Sequence, residues 1–265
     1  MSVEKSTVRV GGIASKAWRI YRTNVNTMLL LAAIMIVPAY IVLAVLIGVA
    51  APEGFFDIAF DQAQGEDLET VSWDGGDVTA LVAAGVVGGI VALIATLLAT
   101  GACFKVIQEV YADRAPDWRA SLAAARARLA SLMWLAIISG FLLILAFLAL
   151  VIPGIYLWVA WAVAVPVLMT EERRGIEALS RSRALVKGTW WPAFGVLLIG
   201  LIASWVVGLV IGTIFRAGAD NPSLGEGLTM GTLQEIVTQI IVVPFLAALS
   251  GVLYFELRQR NASST

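Results

Sequence analysis

This chain of 265 residues has no histidine, a single cysteine, and only 14% charged residues. Without histidine there is no Ser/His catalytic pair, no HExxH zinc site, and no side chain whose unperturbed charge changes near neutrality. The lone Cys103 cannot form an intrachain disulfide and reads as a small apolar residue near the end of a span. A soluble domain has about 25% charged and about 45–50% apolar residues. Here 60% are hydrophobic and the mean hydropathy is +0.88, which excludes a water-soluble fold. The formal net charge of −1 gives no general attraction to polyanions, so no nucleic-acid partner is expected.

The missing charges leave long apolar runs. Residues 27–50 would make a helix about 36 Å long at ~1.5 Å per residue, enough to cross a ~30 Å hydrocarbon layer. A cleaved signal peptide is disfavoured, because the run is too long and follows a long charged segment. The run 78–103 is entered through Asp77, placed to cap the helix start. Residues 129–170 are too many for one crossing, and Pro153–Gly154 inside them predicts a tight turn between two spans. With 191–215 and 232–255, the expectation is an all-α polytopic transmembrane bundle of six spans. Pro38, Pro166 and Pro244 lie within spans and are expected to kink them unless neighbouring groups satisfy the freed carbonyls.

Basic residues orient the chain. Lys5, Arg9, Lys16, Arg19 and Arg22 fall on one side with Lys105, Arg114, Arg119, Arg126 and Arg128. Arg173, Arg174, Arg181, Arg183, Lys187, Arg258 and Arg260 share that side, and only Arg216 falls opposite. Lys and Arg resist translocation, so both termini are expected in the cytoplasm and the protein in the cell membrane. The outer loop 51–77 holds Glu53, Asp57, Asp61, Glu66, Asp67, Glu69, Asp74 and Asp77 without a basic residue. Its spacing fits no EF-hand, so neither a metal nor another cofactor is expected. Phe55, Phe56, Phe60 and Trp73 suggest that parts of it lie against the outer interface.

Three segments before outgoing spans read as short amphipathic helices on the membrane surface. The first sets Ile13, Ala17, Ile20 and Tyr21 opposite Lys16, Arg19, Arg22 and Thr23. The second, from Asp117, sets Trp118, Leu122, Ala125 and Leu129 against Arg119, Arg126 and Arg128. The third holds Ile176, Leu179, Leu185 and Val186 with Arg181, Arg183 and Lys187. Together they divide a single membrane domain into units 10–103, 117–170 and 175–256, each an interface helix plus a hairpin. A true parallel repeat and the ordinary placement of arginine-rich helices at a basic face both account for this. Trp18, Trp118, Trp134, Trp190 and Trp191 flank the same boundaries as an interfacial belt. Arg19, Arg22, Arg126, Arg128, Arg181, Arg183 and Lys187 are the candidate contacts to anionic lipid headgroups, worth about 1 kcal/mol each.

Ionisable residues inside spans usually mark ion or proton routes, and here they are almost absent. The exception is Glu235, with Thr238 and Gln239 near it, as candidate polar lining. Thr232-x-x-Glu235 is also a capping box at a helix start, which accounts for the carboxylate without a function. Gly200, Ser204, Gly208 and Gly212, and Ala84, Gly88, Ala92, Thr96 and Thr100 with Gly85 and Gly89, form stripes of small residues. Such stripes pack helices within the chain by default, with homo-oligomerisation as the alternative. Ser139 and Ser204 lack an activating base, and Glu171 and Glu172 beside Arg173 and Arg174 read as a salt-bridged edge, so no enzyme is expected.

Residues 152–172, IPGIYLWVAWAVAVPVLMTEE, and 175–198, GIEALSRSRALVKGTWWPAFGVLL, carry a resemblance, with GIASKAWRIYRTN near the start fitting as well. They resemble the glycerophosphoryl diester phosphodiesterase membrane domain family, multi-pass proteins related to an uncharacterised inner-membrane family. The resemblance implies a membrane domain that some relatives fuse to a soluble catalytic barrel; this chain has no such barrel. Relatives often carry a basic residue in the fourth span where this sequence has Ala160. Two functions are therefore expected: a non-enzymatic domain that binds lipid or organises partners, or a translocator of a neutral or amphiphilic substrate.

Overall fold

The computed structural model describes residues 9–52, 75–217 and 224–262. The expectations for residues 53–74 of the acidic loop, including its aromatic residues, and for Lys5 lie outside the described residues. Every regular element among the described residues is an α-helix: α1 (Val10–Thr23), α2 (Val25–Ala50), α3 (Gly75–Tyr111), α4 (Trp118–Ala127), α5 (Leu129–Ala149), α6 (Val151–Ala160), α7 (Ala164–Glu171), α8 (Ile176–Val186), α9 (Trp190–Ala217) and α10 (Leu224–Ala262). Six stretches are long and apolar enough to cross a membrane: α2, α3, α5, Val151–Glu171, α9, and Thr229–Ala262 within α10. The protein is a multi-pass all-α membrane bundle.

α1 and α4 each have one end bounded by a side chain that takes up loose backbone groups. Asn24 ends α1, its side-chain amide donating to the Ile20 carbonyl at 3.0 Å while its backbone N–H also turns back to Ile20 and Tyr21. Asp117 starts α4 by accepting from the N–H groups of Arg119 at 3.0 Å and Ala120 at 3.4 Å. Asp77 lies within the first turn of α3, not ahead of it, where a carboxylate faces the positive end of the helix dipole.

Three expectations need correction. The reversal between the third and fourth spans sits at Leu150, a single extended residue with φ −165°, and not at Pro153–Gly154. Pro153 instead lies in the first turn of α6, where its missing N–H leaves no intrahelical bond unmade. Gly154 serves close packing: a Cβ there would stand 2.5 Å from the Phe147 ring across the hairpin. The helix of the last span begins at Leu224, so Thr232 and Glu235 lie inside α10 and form no capping box at its start. The second span continues past Cys103 to Tyr111, because Phe104, Val106 and Ile107 are buried in the protein core and keep the helix folded beyond the apolar run.

The prolines act unequally. Pro166 cannot bond the Ala162 carbonyl, and the fourth span breaks just before it, over Trp161–Val163. There the chain tightens, with Ala162 N–H donating to Val159 and Ala164 N–H to Trp161. α2 and α10 run unbroken through Pro38 and Pro244.

The chain divides into two compact units: Met1–Ala32, Leu97–Ala203 and Val243–Thr265 form unit 1, and Ala33–Thr96 with Ser204–Val242 form unit 2. Unit 1 holds the large core, in which Met28, Leu31, Phe104, Ile107, Leu132, Leu168, Leu253 and Tyr254 are fully buried. Ile13, Ala17, Ile20 and Tyr21, the predicted apolar face of α1, are buried in this core and do not face lipid. Burying each isoleucine from water is worth about 1.5–3 kcal/mol, so amphipathic helices at the bundle end gain a hydrophobic drive that lipid-facing spans lack. On α8, Ala178, Leu179, Ser182, Leu185 and Val186 are buried while Ile176 is 68% exposed, which removes Ile176 from the predicted face. Trp18, Trp134 and Trp191 are exposed as a belt requires; Trp118 and Trp190 pack partly against the core.

In unit 2, small residues bring helices together selectively. A Cβ on Gly88 of α3 would lie 2.3 Å from Leu43 Cδ1 and 3.2 Å from its Cα, so α2 and α3 touch there at backbone distance. Gly85 and Gly89 meet no atom within 4 Å. G88L should therefore lower stability by about 1–3 kcal/mol or more through overpacking. G85L should stay within about 0.5 kcal/mol of wild type, both read by thermal unfolding in detergent; equal effects would contradict this packing.

Candidate functional site

The exposed faces of α1, α4 and α8 all belong to unit 1. Arg19 and Arg22 are exposed on α1, Arg126 on α4, and Arg183 with the capping Lys187 on α8, and none makes an ion pair among the described residues. Arg183 lies over the Tyr156 ring at 5.8 Å, a contact that leaves its charge unmatched.

The other two candidates are used differently. Arg128 donates to the Met169 carbonyl and, at 2.8 Å, to Glu172. Arg181 Nε donates to Glu171 Oε2 at 2.8 Å. Their charges are matched inside the chain, unlike those of the other five candidates.

Glu171 is the residue that sequence reasoning undervalued. Its side chain is only 15% exposed, accepts from Arg181, pairs with Arg173 at 3.5 Å, and accepts the Tyr254 hydroxyl at 3.1 Å. It therefore ties the end of α7 to α8 and α10. Gln108 of α3 adds a bond to Thr170 at 2.8 Å. The expected salt-bridged edge exists but is divided, Glu171 serving this knot and Glu172, 77% exposed, serving Arg128. The pattern Glu-Glu-Arg-Arg hinted at it; Tyr254, 83 residues away, left no local signal.

A polar cleft of about 460 Å³ opens among Lys16, Arg19, Asn24, Tyr111, Asp113 and Gln259. Lys16 pairs with Glu256 at 2.9 Å and lies 4.9 Å from the centre of the Tyr111 ring. Burial works against the charge of Lys16, but hydrogen bonds to Glu256 and Tyr111 and their electrostatic pull outweigh it and hold its pKa above the ordinary 10.5. With Lys16 matched by Glu256 and Asp113 facing the same cleft as Arg19, the cleft is zwitterionic and not a basic pocket.

Unit 2 contains the second predicted group. Gln239 Nε2 donates to Glu235 Oε1 at 2.7 Å, and Tyr40 of α2 lies near both side chains. The Thr238 hydroxyl is buried without a hydrogen-bond partner among the described residues. Beside this group a groove of about 460 Å³ runs between Tyr40–Gly48 of α2 and Thr229–Ile236 of α10. A smaller apolar cavity of about 330 Å³ in unit 1 lies beside the broken fourth span, against Trp158 and Trp161. Its Ser139 donates to the Ala136 carbonyl. No three His, Cys, Asp or Glu side chains among the described residues gather to hold a metal.

Residues 121–259 match the model of a family described as Domain of unknown function (DUF8558), a stretch from within α4 to within α10. No curated protein and no solved structure matches the chain.

E171A should cost about 1–3 kcal/mol, because Arg181 and Tyr254 lose their common acceptor, whereas E172A should cost under about 0.5 kcal/mol. Thermal unfolding in detergent reads both. The Lys16–Glu256 pair carries its own pH signature: with the lysine raised, its contribution is complete below 10.5 and is lost as pH rises through the raised value. The gap in melting temperature between wild type and K16M should accordingly stay constant from pH 7 to about 10 and narrow above it.

Proposed function

The chain belongs to the DUF8558 family, and from that premise we propose that it is a non-enzymatic membrane protein that holds anionic lipid headgroups against the exposed faces of α1, α4 and α8. In this reading those helices and both termini lie in the cytoplasm, and the membrane is the cell membrane. The uneven distribution of Lys and Arg, with Arg216 alone on the other side, supports the orientation.

One observation carries the function. After the internal ion pairs are formed, Arg19, Arg22, Arg126, Arg183 and Lys187 remain exposed and without an ion pair among the described residues, on helices whose apolar faces are already buried in protein. These helices are not available to insert into lipid, so their outward chemistry is cationic. At about 1 kcal/mol per basic residue near an anionic surface, five such residues are worth several kcal/mol at low salt. The exposed Trp18 and Trp191 suit the headgroup level of the same face. In this proposal residues 152–172 and 175–198 are read as kin to the glycerophosphoryl diester phosphodiesterase membrane domain, a kinship that would fit a role beside lipid. The barrel chemistry of that family's name is not carried over to a chain without histidine.

The test is to replace Arg19, Arg22, Arg126, Arg183 and Lys187 together by alanine and count phosphatidylglycerol retained per chain through detergent purification. Retention should fall at least about tenfold, the equivalent of ~1.4 kcal/mol, with the melting temperature kept. Undiminished retention would refute the proposal. Arg128 and Arg181 are left intact because their charges are already matched by Glu172 and Glu171, and loss of Arg181 would weaken the Glu171 knot.

A further inference from the structure

α5 and Val151–Glu171 are long and apolar enough to cross a membrane, but their contacts within unit 1 place them otherwise. The hairpin they form is accompanied by α8, which carries Glu177, Arg181 and Arg183 and ends at Lys187. Gly175, at the start of α8, lies against Trp134 of α5, where an added Cβ would stand 3.0 Å from the indole ring. Further along α8, Ser182 Oγ donates to the Ala160 carbonyl at 2.9 Å, and Arg183 lies over the Tyr156 ring at 5.8 Å. A helix with these charges belongs at the polar face of a bilayer, and the hairpin lies along it.

Tyr156 limits how far the hairpin reaches. Its carbonyl accepts the Trp190 indole N–H at 3.5 Å, and the two rings stack with centres 6.3 Å apart. Trp190 is the first residue of α9, and Gly188 just before it lies against Arg260 in the last turn of α10. Tyr156 therefore stands at the ends of two crossing helices. Leu150, where the chain reverses, is only six residues away. At ~1.5 Å per residue that is about 9 Å, under a third of a ~30 Å hydrocarbon layer, so the reversal falls short of the far side.

The chemistry of the reversal agrees. Residues 141–155, FLLILAFLALVIPGI, contain no polar side chain, and Leu148 and Ile152 beside the turn are 78% and 80% exposed. The two connections read as lying on the far side, 51–74 and 218–223, both carry Asp and other polar residues. Acyl chains match a bare aliphatic turn and water does not. The turn also leaves few backbone groups open. Leu150 N–H donates to the Ala146 carbonyl at 3.0 Å, its carbonyl accepts from Gly154 at 3.4 Å, and Pro153 has no N–H to satisfy.

We propose that the α5–α6 hairpin is a wedge that enters and leaves through the basic face, its apex held among the acyl chains of that one leaflet, while α2, α3, α9 and α10 cross. Removing two crossings together leaves the Lys and Arg asymmetry intact. Calling that leaflet cytoplasmic rests on the orientation proposed above; the depth of the apex does not.

The test is cysteine labelling of the full-length protein in a C103A background, with a membrane-impermeant maleimide added to intact expressing cells or after their lysis. G75C, at the start of α3, should label from outside, and A127C, at the end of α4, only after lysis. L150C and I152C should label at least about tenfold less than either control in both conditions, because a thiol in hydrocarbon stays protonated and out of reach. Bimane attached to L150C in detergent should, after reconstitution, be quenched more by lipid with a nitroxide on the acyl chain than on the head. Labelling of L150C from outside as strongly as G75C would show a full crossing and overturn the wedge. Labelling after lysis as strongly as A127C, or stronger quenching from the head, would take the apex out of the hydrocarbon and overturn it as well. Exchanged labelling of the two controls, with L150C still protected, would overturn the orientation and leave the wedge standing.

Discussion

A bilayer interior offers neither hydrogen bonds nor counter-ions, and most of this structure follows from that constraint. Backbone groups crossing it must bond within their own helix, so the spans are long unbroken α-helices except where Pro166 withdraws a donor and the chain repairs the gap with tighter turns at Trp161–Val163. Charges must remain at the ends of the spans. There they do one of two things: they close on each other, as Glu171 does with Arg181 and Tyr254, or they stay open on the outer face of an amphipathic helix.

That division separates structure from function more cleanly than burial does. α1, α4 and α8 share one plan, an apolar face inside the protein core and a basic face outside it. The ion pairs made by Arg128 and Arg181 hold span ends to one another, and the arginines left over address whatever lies beyond the protein. A pair with one largely buried carboxylate such as Glu171 costs desolvation and brings specificity, placing α8 against α7 and α10 and so setting where Arg183 and Lys187 point.

Much of this was legible in the sequence, for physical reasons that differ by element. The six apolar stretches were readable because a run of about twenty apolar residues without a charge suits a bilayer and little else. The face Ile13, Ala17, Ile20 and Tyr21 was readable because helical periodicity dictates which side chains share a side, although not whether lipid or protein covers them. The reversal at Leu150 was not readable: Pro153 and Gly154 signal a turn locally, yet proline is equally at home in a first helical turn and the glycine is needed for the Phe147 contact. The start of α10 at Leu224 was hidden because polar residues before Thr232 fit a loop as well as a helix extending beyond the apolar run. The partnerships of Arg128 with Glu172 and of Glu171 with Tyr254 join distant parts of the chain, and composition near a span cannot tell a matched arginine from an open one.

The open arginines are the centre of the functional account, and native mass spectrometry of the wild-type protein tests them most directly. Phosphatidylglycerol and phosphatidylcholine of equal chain length are offered together, and the number of each bound per chain is counted as ionic strength is raised. Binding through exposed cations predicts a clear preference for phosphatidylglycerol that fades as salt screens the surface. Equal occupancy of the two lipids at low salt, or a preference indifferent to salt, would contradict it.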